Sequence, residues 1–499
     1  MAVITASASG GNWNSTGTWV GGVVPTSADS VLLTATSGSV TLNVSATCIG
    51  LNCTGYTNTL NLSTNTLTVK GNVVLVATMT LSGTGTLAIG DTTMSITTAG
   101  LTIPNLTCTQ IVTATNITFN DNAAVATLLT ISTTANANIQ LIGNTISTPS
   151  LTVSTGSGQS YGTTSITLNG TGTFSGGLIG NNITVACGSG TLTISGTVTL
   201  GGNFVYSSGN IIAGNSTISF VRATARTTGT RTITMGASNL YNNVSFSDIL
   251  ANPFSLTTDL YMTGTLTFVT VSNNNITLNT STIYTTSLAM NSSGGGSIVG
   301  TTAIVMNGLG GRGTISVATT STTIVTNNLT FNSGINTITF TTGTFAYSTG
   351  TLTYTSGIVR QLKASILSLT AACTLINIHK CAFANVSITA GQTITMNRFF
   401  NGLSNLPARI YSTNTASNYT ITFQDTIEKI SQYVAISNCT LTRPGQLLCI
   451  SKSSNRGNNV GVRFNNQVPN GMDKGINLTI NSQPMGSFLI SDPVFSPLV

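Results

Sequence analysis

The chain has 499 residues, and Asp, Glu, Lys and Arg together make up 5 % of it, against about a quarter in ordinary soluble domains. Its formal net charge is +7, with 52 Gly and 40 % hydrophobic residues, so aliphatic content is too high for a disordered polymer. No apolar run approaches the ~18 residues of a spanning helix, and aromatics at 6 % are sparse for the girdles of a membrane barrel.

The chain opens on Met1-Ala-Val-Ile-Thr-Ala-Ser-Ala-Ser-Gly10, which has neither the basic nor the apolar region of a secretory signal. Residues 1–60 hold both tryptophans, in Asn12-Trp13-Asn-Ser-Thr-Gly-Thr-Trp19-Val-Gly21-Gly22-Val-Val-Pro25, followed by Asp29-Ser-Val-Leu-Leu33. Two bulky aromatics beside a Gly-Gly and Pro turn, entering an apolar strand, predict a cap. The open end of a stacked sheet must be covered or it pairs with other chains.

Residues 61–359 repeat one short phrase: Asn65-Thr-Leu-Thr-Val69, Gly85-Thr-Leu-Ala-Ile89, Ser165-Ile-Thr-Leu-Asn-Gly170, Gly190-Thr-Leu-Thr-Ile-Ser-Gly196, Asn275-Ile-Thr-Leu278, Asn328-Leu-Thr-Phe331. β-Branched residues at period two signal strands, and Gly or Asn closes each one with a turn. The fold class predicted is all-β, a parallel β-helix (β-solenoid) shaft with an N-terminal cap and a distinct β-rich C-terminal module. About 300 residues at ~20 per coil and ~4.8 Å between strands give a rod roughly 70 Å long. Ile, Leu and Val stack inward, while Thr and Asn form outward ladders. Gly294-Gly-Gly296 and Gly308-Leu-Gly-Gly-Arg-Gly313 interrupt the pattern and read as loops or a bend.

Residues 1–359 carry five bases (Lys70, Arg222, Arg226, Arg231, Arg312) and five acids (Asp29, Asp91, Asp121, Asp248, Asp259). The whole excess of positive charge therefore falls in 360–499, and the change near Gly357-Ile-Val-Arg360 is taken as the start of the C-terminal module. Arg222, Arg226 and Arg231 read as a solvated basic face, since no aromatic interleaves them as nucleic-acid binding would favour. The C-terminal module contains Gln424-Asp-Thr-Ile-Glu-Lys-Ile430 and the turn cluster Asn455-Arg-Gly-Asn-Asn459. If 424–430 is helical, Asp425 and Lys429 form an i,i+4 surface ion pair.

Candidate chemistry is thin. The single glutamate and eight aspartates are mostly isolated, whereas glycoside hydrolysis typically uses two neighbouring carboxyls. His379 has no nucleophile–acid set beside it. The eight cysteines (Cys48, Cys53, Cys108, Cys187, Cys373, Cys381, Cys439, Cys449) lack zinc spacing and read as buried thiols, although Cys48–Cys53 and Cys439–Cys449 are spaced to close disulfides. Gly308–Gly313 lacks the Asp of calcium-binding β-rolls, so no catalytic, cofactor-binding or metal residues are assigned.

Two motifs carry a resemblance. Asn12-Trp13…Thr18-Trp19-x-Gly21-Gly22-x-x-Pro25-x-x-x-Asp29 resembles the entry motif of G8-like β-helix proteins, found in bacterial surface molecules and in phage and environmental-virus proteins. Gly457-Asn458-Asn459-Val-Gly461-Val-Arg-Phe464 is similar to a C-terminal signature of phage virion and tail proteins, with Val462 where Trp is usual. The resemblance implies a structural virion protein, a tail fibre or spike or a capsid-attached fibre, exposed on the particle and contributing to host attachment. It would be a homo-oligomer, taken as a trimer, meeting other virion proteins and host-surface glycans, with no nucleic acid and no membrane insertion. The alternatives are a bacterial surface adhesin or extracellular filament subunit, and, less favoured, a solenoid polysaccharide-degrading enzyme or a capsid decoration protein.

Overall fold

A computed structural model describes residues 2–110, 115–133, 137–155, 158–221, 230–248, 254–270, 276–279 and 281–292. Beyond these it describes 297–300, 303–306, 314–319, 323–324, 328–331, 337–342, 344–347, 351–354, 362–369, 372–375, 382–396, 399–402, 407–450, 453–465, 479–480 and 483–484. Strands make up nearly all the regular structure, and the one helical element among the described residues is the single 3-10 turn Thr16–Thr18.

Apart from the short antiparallel pair Thr479–Ile480 and Gln483–Pro484, the described strands stack in parallel, each pairing with the strand one coil away. One coil runs through Gly50–Asn52, Thr59–Asn61 and Thr66–Val69, which lie on a first, second and third face. Each pairs in register with its counterpart in the next coil, as in Leu51↔Val73, Leu60↔Leu81 and Leu67↔Leu87. The chain is a β-solenoid, as its alternation predicts. The advance per coil is uneven, from Phe204↔Ile233 at one extreme to Leu447↔Val462 at the other.

Alternation within each strand decides what enters the core. In Thr66–Val69, Leu67 and Val69 are buried while Thr66 and Thr68 face outward. Inward columns then run along the axis, as Val198↔Ile218↔Val244↔Leu266↔Leu288, all buried. Phe220, Phe246 and Phe268 stack in one such column at 5.3 and 5.8 Å between ring centres. Burying an aliphatic or aromatic side chain of this size contributes about 1.5–3 kcal/mol, so each added coil lengthens the core.

Corners are built from positive-φ residues and asparagines. The long strand Asn182–Ser195 bends from the second face onto the third, its pairing shifting between Ala186 and Thr191. Gly188 at that bend has φ +61°, and a Cβ on Gly190 would lie 2.5 Å from the Gly170 carbonyl carbon. Corner asparagines reach one coil back. Asn65 Nδ2 donates to the Leu42 carbonyl at 2.8 Å, Asn105 Nδ2 to Thr84 at 2.8 Å and Asn144 Nδ2 to Phe119 at 2.9 Å. Each gives a corner carbonyl a side-chain partner from the following coil.

The change of composition near residue 360 is not a change of backbone plan. Parallel pairing continues through Ile338↔Leu362, Val386↔Ile410, Ile410↔Ile436 and Ile436↔Asn455. Described residues on the two sides of the expected boundary thus pair in successive coils. Residues 357–360 themselves lie outside the described residues, as do His379 and the glycine runs 294–296 and 308–313. At the other end, strands within 30–61 already pair with those of neighbouring coils.

Two sequence expectations are corrected. Residues 424–430 are not helical: bends lead directly into the strand Lys429–Gln432. Asp425 and Lys429 still pair at 2.8 Å, because a corner returns the chain to the same spacing that a helical turn would give. Arg231 is not on a solvated face. It is 3 % exposed and inward-facing on Arg231–Thr234, with its guanidinium 5.1 Å from the Phe254 ring centre and Nη1 donating to the Val221 carbonyl at 2.7 Å. Arg222 and Arg226 lie outside the described residues.

Candidate functional site

The N-terminal motif forms one structural unit. Trp13 and Trp19 are buried, their rings edge to face at 4.9 Å. The chain from 18 to 20 runs antiparallel beside 5–7, with Ala6 opposite Trp19. Val20 N–H donates to the Thr5 carbonyl and Ser7 N–H to the Thr18 carbonyl. This segment covers part of the outer edge of the first strand, Val3–Thr5, which has no preceding coil among the described residues. Gly21 and Gly22, both at positive φ (+85° and +69°), turn the chain away after the cover strand, and Pro25 is buried behind them.

Asp29 locks the exit from this cap. Its Oδ2 accepts from Thr26 Oγ1 at 2.7 Å and Thr26 N–H at 3.1 Å, and its Oδ1 accepts from Ala2 N–H at 3.1 Å. The Thr26 hydroxyl first, then the Thr26 and Ala2 amides, hold the carboxyl below its ordinary value. These bonds favour the ionised form, so Asp29 acts as a clamp between the first strand and the turn into Ser30–Leu32.

The C-terminal motif forms a corner in the other terminal region. Gly457 N–H donates to Asn455 Oδ1, and Gly457 C=O accepts from Asn438 N–H. Asn458, at φ +55°, accepts through its carbonyl from Asn418 Nδ2 at 3.0 Å. Asn459 Oδ1 accepts from Cys439 N–H at 3.0 Å while its Nδ2 donates to the Ile436 carbonyl at 2.8 Å. Gly461, at φ +79°, sits so that a Cβ would lie 2.8 Å from Pro444 Cα. Phe464 ends the strand Val462–Phe464, opposite Cys449, and packs on the core. The two motifs are not brought together, since the stack of coils lies between them.

The described carboxylates are tied individually to the framework. Asp121 accepts from the Thr98 and Ala99 amides and Asp259 from Thr282 N–H. Asp425 is lowered, first by its hydrogen bond with Lys429, with burial opposing and the Ile427 amide adding to the lowering. Glu428 pairs with Arg463. A general acid needs a raised pKa, and the shift at Asp425 runs the other way. Asp91 differs: it holds φ +68°, and its shielded Oδ1 has no hydrogen-bond partner, beside a depression of about 220 Å³ lined by Thr68, Ala88, Ile89, Gly90 and Thr109. Among the described residues no three His, Cys, Asp or Glu side chains come together as metal ligands.

The described thiols are buried and unpaired. Burial pushes Cys48, Cys53, Cys108, Cys439 and Cys449 up to about 12.

Sequence reasoning missed several supports of the cap. Thr18, 1 % exposed, donates its hydroxyl to the Asn12 carbonyl at 2.7 Å, and Ser37 donates to the Ala6 carbonyl at 2.9 Å. Neither breaks the surrounding Thr/Ser-rich pattern, so composition gave no signal. Also missed was a run of outward apolar residues on the third face; consecutive apolar pairs such as Ile211-Ile212 and Leu240-Tyr241 were the available sign, because alternation sends one of each pair outward.

No protein-family model, no curated protein and no solved structure matches this chain.

Proposed function

We propose that the chain is a structural component of a phage or related virus particle, a fibre or spike whose solenoid provides reach from the particle toward the host surface. The observation that carries this reading is the stack of parallel coils, continuous in its pairing from Val3–Thr5 to Ser454–Asn455, with small polar residues outward and carboxylates used as backbone clamps. Such a body gains length coil by coil, because each coil contacts only its neighbours. The resemblance of the Trp13–Asp29 and Gly457–Phe464 motifs to virion proteins supplies the particle.

In this reading the tryptophan-covered end faces the particle and the basic end faces outward. Arg409, Arg443 and Arg456 are exposed there, and a positive tip suits the anionic glycans of a cell envelope. The protein does no chemistry on those glycans; it holds them.

Immunogold labelling with antibodies to the chain, combined with electron cryomicroscopy of particles from the source, tests the assignment. Label on projections from the particle is expected. Label confined to cell envelopes with no particle present would replace it with an adhesin or filament subunit, and label spread over the capsid lattice with a decoration protein.

A further inference from the structure

We propose that the third face carries a lateral self-association surface, centred on Leu240 and Tyr261, that fits the same face of a second copy of this chain.

Near the start of the solenoid one outward position of this face reads Thr66↔Thr86↔Asn105. Further along, the outward register reads Thr173↔Thr193↔Ile212↔Leu240↔Tyr261↔Tyr284↔Val305. Ile212 is 49 % exposed and Leu240 51 %. The other strongly exposed large apolar residues described are Val3, Val20, Val23 and Val44 near one end and Ile427, Ile430 and Val460 near the other. Among the described residues away from the ends, the two strongly exposed large apolar side chains therefore lie side by side on this face, and the half-buried Tyr261, Tyr284 and Val305 continue their register. The core does not demand it: Ile211 and Tyr241, the neighbours of Ile212 and Leu240, are the residues that point inward and are buried.

The tyrosines point to the kind of partner. Tyr261 and Tyr284 stack at 4.7 Å with planes 5° apart, so each covers one face of the other. A sugar ring would need an open aromatic face to lie on; here much of that surface is already used. The stripe presents one residue per coil, a period of ~4.8 Å set by strand spacing. A partner that meets it rung for rung must share that period, and a second copy of this solenoid does. The strands that carry it, Phe204–Ile212, Leu240–Tyr241, Leu260–Met262, Thr282–Thr285 and Ala303–Met306, contain no charged residue, and Asp259, next to Leu260 at the edge of the stripe, accepts from Thr282 N–H.

The five coils from Ile212 to Val305, at ~4.8 Å each and about 12 Å wide, offer on the order of 300 Å² per partner, so the flanking surface must join them to reach the size of a standard interface. The apolar stripe would occupy its middle with threonines around it, the arrangement in which a few central side chains dominate affinity. The inference needs the solenoid alone, so it stands or falls separately from the viral assignment.

Sedimentation velocity of the full chain over a range of concentrations, for wild type, Leu240→Glu and Thr267→Glu, tests it. Thr267 lies outward on the first face, between Ser245 and Ala289. Wild type is expected to self-associate, Leu240→Glu to weaken association by at least ~tenfold, and Thr267→Glu to leave it unchanged. Circular dichroism checks that the strand content persists; if Leu240→Glu unfolds, Ile212→Ser takes its place, with the same loss expected. A wild type that stays monomeric, a stripe variant that associates normally, or equal loss in Thr267→Glu would each overturn the proposal.

Discussion

The indole Nε1 of Trp19 donates a hydrogen bond to the backbone carbonyl of Trp13 at 2.7 Å. One aromatic thereby fixes the backbone that carries the other, and both are buried in the cap. Trp19→Phe keeps most of the buried ring and removes this donor, leaving a buried carbonyl short of its partner at a cost of about 1–3 kcal/mol. The loss should be local, since coils unfold in part independently. Hydrogen exchange should show faster exchange of the Ser7 and Val20 amides, with the amides of 243–248 unchanged.

The Asp29 clamp makes the cap sensitive to acid. Its folded pKa lies below the ordinary aspartate value, about 3.9 when unfolded. The stabilisation is therefore fully present above that value and lost as pH falls through the folded one. Amide exchange at Ala2 and Thr26, corrected for intrinsic rates, should lose protection only in that acid range. Asp29→Asn should show weaker protection at neutral pH and no such acid transition.

Two glycines of the C-terminal corner separate backbone conformation from crowding. Gly457 (φ +106°) has open space where a Cβ would go, whereas at Gly461 (φ +79°) a Cβ would press on Pro444. Gly457→Ala should cost about 1 kcal/mol for its positive φ alone, and Gly461→Ala more. Limited proteolysis followed by mass spectrometry should place earlier cleavage within 438–464 for Gly461→Ala than for Gly457→Ala.

The buried thiols should be silent in the native protein. With Cys48, Cys53, Cys108, Cys439 and Cys449 pushed up to about 12 by burial, almost none is thiolate at pH 8, and the thiolate is the reactive form. Labelling with an alkylating reagent and peptide mapping should leave these five unmodified until denaturant is added. Native labelling of Cys439 or Cys449 would show that the core opens there.

What the sequence determined by itself is the strand and its sidedness. Asn65-Thr-Leu-Thr-Val69 declares Leu67 and Val69 as core and Thr66 and Thr68 as surface, because period-two alternation is local and needs no knowledge of neighbours. The glycines and asparagines that end each phrase declare the corners for the same reason. What only the tertiary structure decided is which residues meet across coils. The advance from Val3 to Ser30 and that from Ser160 to Ile179 differ, with corners absorbing the difference, so no fixed period could be read along the chain. Arg231 lies inside because its strand register places it opposite Phe254, and charge alone predicted the reverse. Asp425 meets Lys429 across a corner instead of a helical turn. The alignment of Leu240 with Tyr261 likewise exists only once two strands, well separated in the chain, lie side by side.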